Sequence, residues 1–458
     1  MGVHGFGNET SARRDALRTQ LWPLPTFAVV LAVVMGVGLP LLDVQLADGL
    51  PSTLRAYLFG GGAGAARTVL SAIASSLITV TSLTFSLTVV TLQLASGQFS
   101  PRLLRTFTRD RVVHVTLALF LATFTYALTV LRTVRTSNND QPQFVPQVAV
   151  TVAFALALAS VLGLVLFLAH LAREIRVETM LRNVHQEASE TLQRVLPERS
   201  LTTASDTALP VPPGNAVPLL AGSSGFLTRV DEQALLAAAV DADAVVVLDR
   251  VPGSSLIAGT PVGAGWPRGT GSFDSDTRSR LGERVAKAVS TDFERTAAQD
   301  VGYGLRQLTD VAIKALSPGI NDPTTAVHAL SHSSALLCEL AGRDLGPRLL
   351  RDEQGELRVV LRSPSFTELL ELAVTQPRRY GAGDPLVLAR LSSLLRELAW
   401  CVELPDQRRE VADQQVRLRD TIAEQDFDAR EQAQLAGLAE QVQHALDGHW
   451  TPDAGRTS

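Results

Sequence analysis

Four long apolar stretches, separated by short polar connections, dominate the first third of the chain. They are Leu24–Leu42, approximately Val69–Leu94, Val112–Leu131 and Val148–Leu171. A helix needs about 20 predominantly apolar residues to cross the roughly 30 Å hydrocarbon core of a bilayer. None of the four stretches contains Lys, Arg, Asp or Glu in its interior. The pattern therefore predicts four transmembrane helices that contact the lipid bilayer.

The positions of the arginines predict how these helices are oriented. Arginines cluster before the first stretch (Arg13, Arg14, Arg18), between the second and third (Arg102, Arg105, Arg109, Arg111) and after the fourth (Arg173, Arg176, Arg182). Because Lys and Arg are enriched in cytoplasmic loops near the ends of spans, we expect both termini in the cytoplasm. The pair Arg13-Arg14 also fits a cleaved twin-arginine signal, although an uncleaved first helix is the simpler interpretation.

The second apolar stretch carries two polar stripes. At 100° per residue, one helix face presents Ser71, Ser75, Thr79, Ser82, Ser86 and Gln93, and Thr81, Thr84, Thr88 and Thr91 fall nearly opposite. Small hydroxyl residues allow membrane helices to pack closely and to hydrogen-bond to each other. The first stripe is thus either a contact for helix packing or for a homo-oligomer, or the lining of a water or ion path.

The connection after this stretch is expected to lie on the inner membrane surface. Ser100 and Pro101 are typical of a helix start, and a short amphipathic helix would place Arg102, Arg105, Arg109 and Arg111 against anionic headgroups. Alternatively, these arginines serve only as a topology signal.

The remaining sequence is polar and predicts a cytoplasmic α+β domain with a small β-rich module followed by a mainly helical part. The predicted organisation is a cytoplasmic tail (1–20), a four-span transmembrane domain (21–172), an exit helix and linker (173–218), the β-rich module (219–268), the helical domain (269–446) and a tail (447–458). The exit helix is expected to continue without a break from Leu171 to about Leu196. Thr291 and Glu294 predict the start of a helix that runs to about Leu316.

Charge and cysteine content exclude several functions. The first 172 residues carry 11 Arg, no Lys and 6 acidic residues, and the other 286 carry 30 basic and 40 acidic residues. An acidic soluble part without a basic aromatic stripe argues against nucleic-acid binding. The 2 cysteines, Cys338 and Cys401, are too few for a disulfide framework or a four-cysteine zinc site.

The densest polar cluster of the soluble part is a candidate ligand pocket or subunit contact. It comprises Asp300, Tyr303, Arg306, Asp310, Lys314, Asn321 and Asp322. Helix capping and ion pairing are the alternative explanation. His328, His332 and Glu339 share a helix face, but without a His-Glu-x-x-His pattern we expect interhelix or solvent-facing histidines and no metal. No catalytic motif or cofactor site is apparent, so an enzyme is the least favoured class.

Several motifs resemble one known family. They are Gln98-Phe99-Ser100-Pro101-Arg102, Ser224-Gly225-Phe226, Gln299-Asp300-Val301-Gly302-Tyr303-Gly304-Leu305-Arg306-Gln307-Leu308 and Ala315-Leu316-Ser317-Pro318-Gly319-Ile320-Asn321-Asp322-Pro323-Thr324-Thr325-Ala326. The chain resembles the DUF2254 family of bacterial membrane proteins over nearly its whole length. The resemblance implies an inner-membrane protein and brings no substrate, cofactor or activity with it.

Two hypotheses follow for the function. The first is an oligomeric channel- or transport-type protein whose second span lines the path and whose soluble domain gates or assembles it. The second is a membrane-anchored scaffold or sensor whose cytoplasmic domain binds a partner or small ligand.

Overall fold

A computed structural model of the chain describes residues 22–46, 58–98, 110–135, 144–174, 176–199 and 210–450. The tails, the linker from 200 to 209 and the segment containing Arg102, Arg105 and Arg109 lie outside these residues. The chain divides into two compact units, Met1–Thr179 and Met180–Ser458.

Within the described residues, the first unit contains four helices at the predicted apolar stretches. They are α1 (Pro23–Leu46), α2 (Ala63–Gln98), α3 (Arg111–Leu131) and α4 (Gln147–Glu174). All four are long and apolar enough to cross a membrane, with mean hydropathies of 2.2, 1.8, 1.8 and 2.7. Half of the residues in the most apolar segment of α3 are buried, whereas 17 to 28% are buried in the corresponding segments of the other three helices. This difference arises because α3 makes the most extensive contacts with the other three helices.

The prediction of one continuous exit helix is wrong. Helix α4 ends at Glu174, and α5 runs separately over Val177–Val195. The amide of Arg176 donates to the carbonyl of Arg173 at 3.2 Å, three residues back instead of four. This shorter bond interrupts the α-helical ladder between the two helices.

The second unit contains two sheets. The strands are β1 (Val217–Leu220), β2 (Gly225–Val230), β3 (Ala244–Leu248), β4 (Ser255–Leu256), β5 (Pro261–Pro267), β6 (Val289–Asp292), β7 (Arg348–Arg351) and β8 (Leu357–Leu361). A five-stranded sheet has the order β1-β5-β3-β8-β7, in which β3 and β8 are parallel and the other neighbours antiparallel. A three-stranded antiparallel sheet has the order β4-β2-β6.

Helices cover these sheets and form a further layer. They are α6 (Glu232–Asp241), α7 (Ser275–Ala288), α8 (Tyr303–Ala315), α9 (Pro323–Ala341), α10 (Phe366–Tyr380), α11 (Pro385–Cys401), α12 (Pro405–Ala423) and α13 (Ala429–Leu446). Leu235 of α6 and Leu281 of α7 join Val246 and Val359 of the larger sheet in one buried core. Helix α9 packs between α8 and α11, and α11 packs against α13.

The region predicted to be mainly helical also supplies strands. Strands β6, β7 and β8 lie within residues 269–446, and β8 pairs in parallel with β3. The predicted helix from Thr291 to Leu316 is wrong at its start, because Thr291 lies in β6 opposite Leu227 and α8 begins at Tyr303. Pairing with a distant strand satisfies the backbone of Thr291 here, and a local capping pattern does not reveal such a partner.

Candidate functional site

The two polar stripes of α2 lie in different environments. Ser71, Ser75, Thr79, Ser82, Ser86 and Gln93 are all exposed on the first unit. Of the opposite stripe, Thr81, Thr84 and Thr91 are buried, and Thr84 is only 2% exposed. Helix α2 packs against α3 and α4. The chain therefore covers one polar stripe of α2 with its own helices and leaves the predicted pore or packing stripe uncovered.

The hydroxyls of both stripes bond mostly to their own helix. Thr79 donates to the carbonyl of Ser75 at 3.1 Å, and Thr81 donates to that of Leu77 at 2.6 Å. The buried hydroxyl oxygen of Thr84 has no hydrogen-bond partner among the described residues. Because such bonds use the donor of each hydroxyl, the oxygen lone pairs of the exposed stripe remain available to a second group.

Two acidic residues accept hydrogen bonds from amides in the first turns of α3 and α4. Asp43, near the end of α1, accepts hydrogen bonds from the amides of Val148 and Ala149 in the first turn of α4, both at 3.1 Å. Asp110 caps α3 through the amide of Val112 at 2.8 Å, and its other oxygen lies 2.5 Å from Nε2 of His170. These carboxylates satisfy amide groups that a helix start leaves open.

Arg111 is the one predicted inner-surface arginine within the described residues. It is the first residue of α3, and its side chain is exposed. Its membrane contact stays a prediction.

The predicted polar cluster of the soluble part contains a buried ion pair. Asp300 is 5% exposed, and Arg295 donates to its Oδ2 from Nε at 2.8 Å and from Nη2 at 2.6 Å. The amide of Gly302 donates to Oδ1 at 3.1 Å. Burial raises the pKa of the Asp300 carboxyl, and the charge and hydrogen bonds of Arg295 oppose this rise. The guanidinium also lies 5.9 Å from the ring centre of Tyr303, so the pair fixes the loop that leads into α8.

The other members of the cluster are spread along and beyond α8. Arg306, Asp310 and Lys314 are half-buried along this helix. Asn321 and Asp322 follow its far end, which lies about 20 Å from Asp300 by the rise of an α-helix. Asn321 is exposed with a φ of 51°, and Asp322 caps α9 through the amide of Thr325. The structure thus joins Asp300 to Tyr303 and separates both from Asn321 and Asp322.

The histidines considered as metal ligands face other partners. His332 lies beside His185 of α5 with ring centres 5.2 Å apart, and burial with the charge of His185 lowers the pKa of His332. Glu339 accepts a hydrogen bond from Ser189 of α5 at 2.7 Å, and His328 is exposed. Among the described residues, His, Cys, Asp and Glu form no group of three or more that could hold a metal ion.

The second unit contains an open cavity that no sequence pattern predicts. It has a volume of about 560 Å³, and its lining includes Arg199, Arg343, Leu404, Gln407 and Glu410. Gln407 is 5% exposed, and its Oε1 has no hydrogen-bond partner among the described residues. Helix α12 begins here, and its N-cap residue Leu404 provides no side-chain hydrogen bond. The lining carries charges of both signs, from Arg199, Arg343 and Arg409 and from Asp344, Asp406, Glu410 and Asp413.

This cavity forms between residues that are far apart in the chain. Arg199 donates to the carbonyl of Ala341 at 2.9 Å and to Glu403 at 2.7 Å, although these partners are 142 and 204 residues away. Sequence patterns predict only the regular spacing of residues within a helix or strand, so they do not predict pairings between distant residues.

Comparison with known proteins agrees with the motif resemblance. A family model described as "Predicted membrane protein (DUF2254)" matches residues 18–397, which include all four apolar helices and the Asp300 region. The chain is 37% identical over 444 residues to Uncharacterized protein Mb1321c of Mycobacterium bovis and to Uncharacterized protein Rv1290c of Mycobacterium tuberculosis. These alignments cover 96% of this chain and 83% of each relative. No solved structure matches. The chain belongs to the DUF2254 family of predicted membrane proteins.

Proposed function

We propose that this protein is an oligomeric channel- or transport-type protein of the bacterial inner membrane, in which α2 of each copy lines a path for a small ion. The observation that carries the proposal is the exposed polar stripe of α2. Ser75, Thr79 and Ser82 lie uncovered on a helix whose opposite stripe is already buried. Another copy of the chain, packed on this stripe, would remove it from lipid.

The chemistry of the stripe favours a path over a purely structural contact. Ser75 and Thr79 donate their hydroxyl protons to carbonyls of their own helix, which leaves the oxygen lone pairs directed outward. Oxygen lone pairs in a ring of helices replace part of the hydration shell of a cation. Four spans are few for a transporter that works as a monomer, so the path would form between copies.

The proposed orientation places both termini and the second unit in the cytoplasm. It rests on the arginine clusters flanking the spans. In this arrangement the acidic second unit would gate the path or assemble the oligomer. A tag at Asn138 and a tag at the chain's end should be accessible from opposite sides of sealed vesicles.

Ion flux into liposomes tests conduction. The purified full chain is reconstituted and compared with a variant carrying Ser75→Leu, Thr79→Leu and Ser82→Leu. We expect cation flux from the wild type and at least a tenfold loss in the variant, since three hydroxyls would be replaced by apolar side chains.

A matched control changes exposed apolar residues of the same helix. Leu83 is 65% and Phe85 is 56% exposed, and Leu83→Ile with Phe85→Leu should leave flux unchanged. Absence of flux from the wild type would reject conduction and favour the scaffold or sensor.

We infer a second candidate function, ligand sensing by the second unit, from the cavity near Arg199. The arginines of its lining and the open first turn of α12 suit a carboxylate, and the acidic residues Asp344, Glu410 and Asp413 suit an ammonium group. Free amino acids combine these two groups.

Thermal unfolding of the full chain with a panel of L-amino acids should show a stabilising ligand, and Asp413→Asn should abolish the shift because it removes a carboxylate of the lining. The exposed Glu440→Gln on α13 is the control, and no shift with any amino acid would reject this ligand class.

A further inference from the structure

The two cysteines of this 458-residue chain lie side by side. Cys338 is in α9, and Cys401 is the last residue of α11, 63 positions further on. The two side chains lie close enough for each thiol to shift the pKa of the other. The fold has therefore brought together the whole thiol content of the protein.

The packing of α9 against α11 holds this pair in place. One helical turn before the cysteines, the hydroxyl of Ser334 in α9 donates to the carboxylate of Glu397 in α11. Arg390 fixes the same carboxylate with two hydrogen bonds of 2.8 and 2.7 Å. Ser334 precedes Cys338 by four residues, and Glu397 precedes Cys401 by four. The two thiols interact one turn beyond this contact on each helix, so the helices run in the same direction here.

The two thiols differ in their surroundings. Cys401 is exposed, whereas Cys338 is half-buried. The neighbouring Cys338 thiol lowers the pKa of the Cys401 thiol to about 7, and the Cys401 thiol together with burial raises that of Cys338. A lower pKa favours the thiolate, which is the reactive form of cysteine. The exposed sulfur is the nucleophile, and the sheltered thiol is positioned to react second.

We propose that Cys338 and Cys401 form an oxidant-responsive dithiol site, which closes to an intramolecular disulfide on reaction with a hydroperoxide. This inference goes beyond the proposed conduction and sensing and does not depend on either. No other thiol of the chain competes for the product.

The reaction balances in two steps. The Cys401 thiolate attacks the outer oxygen of the hydroperoxide, the O–O bond breaks, and the alkoxide or hydroxide takes up a proton, which leaves Cys401 as a sulfenic acid. The sulfur of Cys338 then attacks the Cys401 sulfur and gives up its thiol proton, and water departs as the S–S bond forms. The two thiols together supply two electrons, which reduce the hydroperoxide to an alcohol or water. A dithiol reductant reverses the product by exchange.

Peptide mass spectrometry of the oxidised wild type tests the proposal directly. The full-length protein in detergent is treated with hydrogen peroxide at pH 7, blocked with a maleimide and digested without reductant. We expect one linked peptide pair containing Cys338 and Cys401, two hydrogens lighter than the sum of the two peptides, and loss of both free thiols. Disulfides that join two chains through Cys401, or two thiols that remain free, would overturn the proposal.

Single variants distinguish the roles of the two cysteines. In Cys338→Ser, Cys401 should accumulate as a sulfenic acid that a 1,3-diketone traps, and the wild type should yield less than a tenth of this adduct. In Cys401→Ser, Cys338 should react with peroxide at least tenfold more slowly than Cys401 does in the wild type. If the wild type and Cys338→Ser gave equal amounts of the trapped sulfenic acid, Cys338 would not react with Cys401, and the proposed dithiol site would be rejected. The wild-type measurement decides the question even if a variant does not fold.

Discussion

At the scale of single residues, Gly253 bears directly on the buried ion pair of Asp300 and Arg295. Its φ is +92°, and an added Cβ would lie 2.2 Å from Oδ2 of Asp300 and 2.7 Å from Nη2 of Arg295. Gly253→Ala should therefore lower the free energy of unfolding by the backbone cost of about 1 to 2 kcal/mol and by a further cost of about 1 to 3 kcal/mol for disturbing the pair.

The control for Gly253 is Gly259, whose φ is +80° with nothing within 4 Å of an added Cβ. Gly259→Ala should show the backbone cost alone. Urea unfolding of the full chain, followed by tryptophan fluorescence, compares the two variants. If both variants lost the same free energy of unfolding, the added methyl group at Gly253 would not disturb the Asp300–Arg295 pair.

Asp322 gives a prediction for pH dependence. Hydrogen bonds from the side chain and amide of Thr325, at 2.5 and 3.1 Å, lower the pKa of the Asp322 carboxyl. A carboxyl with a depressed folded-state pKa stabilises the fold above its unfolded pKa of about 3.9, and this stabilisation is lost as pH falls through the folded value. Asp322→Ala should cost about 1 kcal/mol at pH 7, and the cost should shrink below pH 4.

Asp322→Asn separates the cap from its charge. The amide oxygen of Asn still accepts from the amide of Thr325, so most of the stability at pH 7 should remain while its dependence on acid disappears. Melting temperatures of the three proteins between pH 3 and pH 7 measure both effects. If Asp322→Asn had the same melting temperature as Asp322→Ala, the charge of Asp322, and not its hydrogen bond to the amide of Thr325, would be what stabilises α9.

Residues whose roles depend on near neighbours could be predicted from the sequence. Asp231, Asp322 and Ser365 cap α6, α9 and α10, and the few residues around each of them are typical of a helix start. Gln299 was unexplained, because it bonds both the amide and the carbonyl of Val230, 69 residues away. Arg295 was missed because the loop that joins it to Asp300 has no helix or strand period. Local chemistry encodes a cap within three residues, whereas a side chain that pairs with a distant strand has no sequence period.

At the scale of elements, Gly36 controls the approach of α1 to α3. An added Cβ at Gly36 would lie 2.8 Å from Cβ and 2.9 Å from Cγ2 of Thr129, and one at Gly38 would meet nothing within 4 Å. Small residues allow membrane helices to pack at short distance. Gly36→Ala should separate the two helices and cost about 1 to 3 kcal/mol through overpacking.

Gly38→Ala, two residues away on the same helix, is the matched control. It should be neutral or stabilising by up to about 1 kcal/mol, since alanine favours helix over glycine. Resistance to unfolding in increasing dodecyl sulfate, measured by circular dichroism, ranks both against the wild type. The same resistance for the two variants would contradict the close contact of α1 with α3.

The elements also differ in how well their patterns predicted them. The four apolar helices were predicted to within a few residues except at the start of α2, because length and absence of charge in an apolar run are local properties. Strand β8 was missed, although Val359 and Val360 are residues typical of strands. It pairs with β7, which precedes it by a short turn, and with β3, more than a hundred residues earlier. The pairing with β3, which places β8 inside the larger sheet, has no local sequence signal.

At the scale of the whole molecule, the two units have different surfaces. The helices of the first unit expose large apolar side chains such as Val161, Leu162 and Val165, each 58% or more exposed. This pattern is that of a surface in contact with lipid. Against this background, the exposed hydroxyls of α2 are the exception, and an assembly of several copies would bring them together.

Cross-linking between copies tests this assembly. In a background with Cys338→Ser and Cys401→Ser, Thr79→Cys lies on the exposed stripe of α2, and Thr84→Cys lies on the buried one. If α2 meets α2 of another copy, mild oxidation in native membranes should convert most of the Thr79→Cys protein into a covalent dimer on non-reducing gels. Thr84→Cys should remain monomeric, since α3 and α4 cover that side of the helix. If only Thr84→Cys formed dimers, the contact between copies would lie on the opposite face of α2. If neither variant formed dimers, α2 would not lie at an interface between copies, and the proposed path would be rejected.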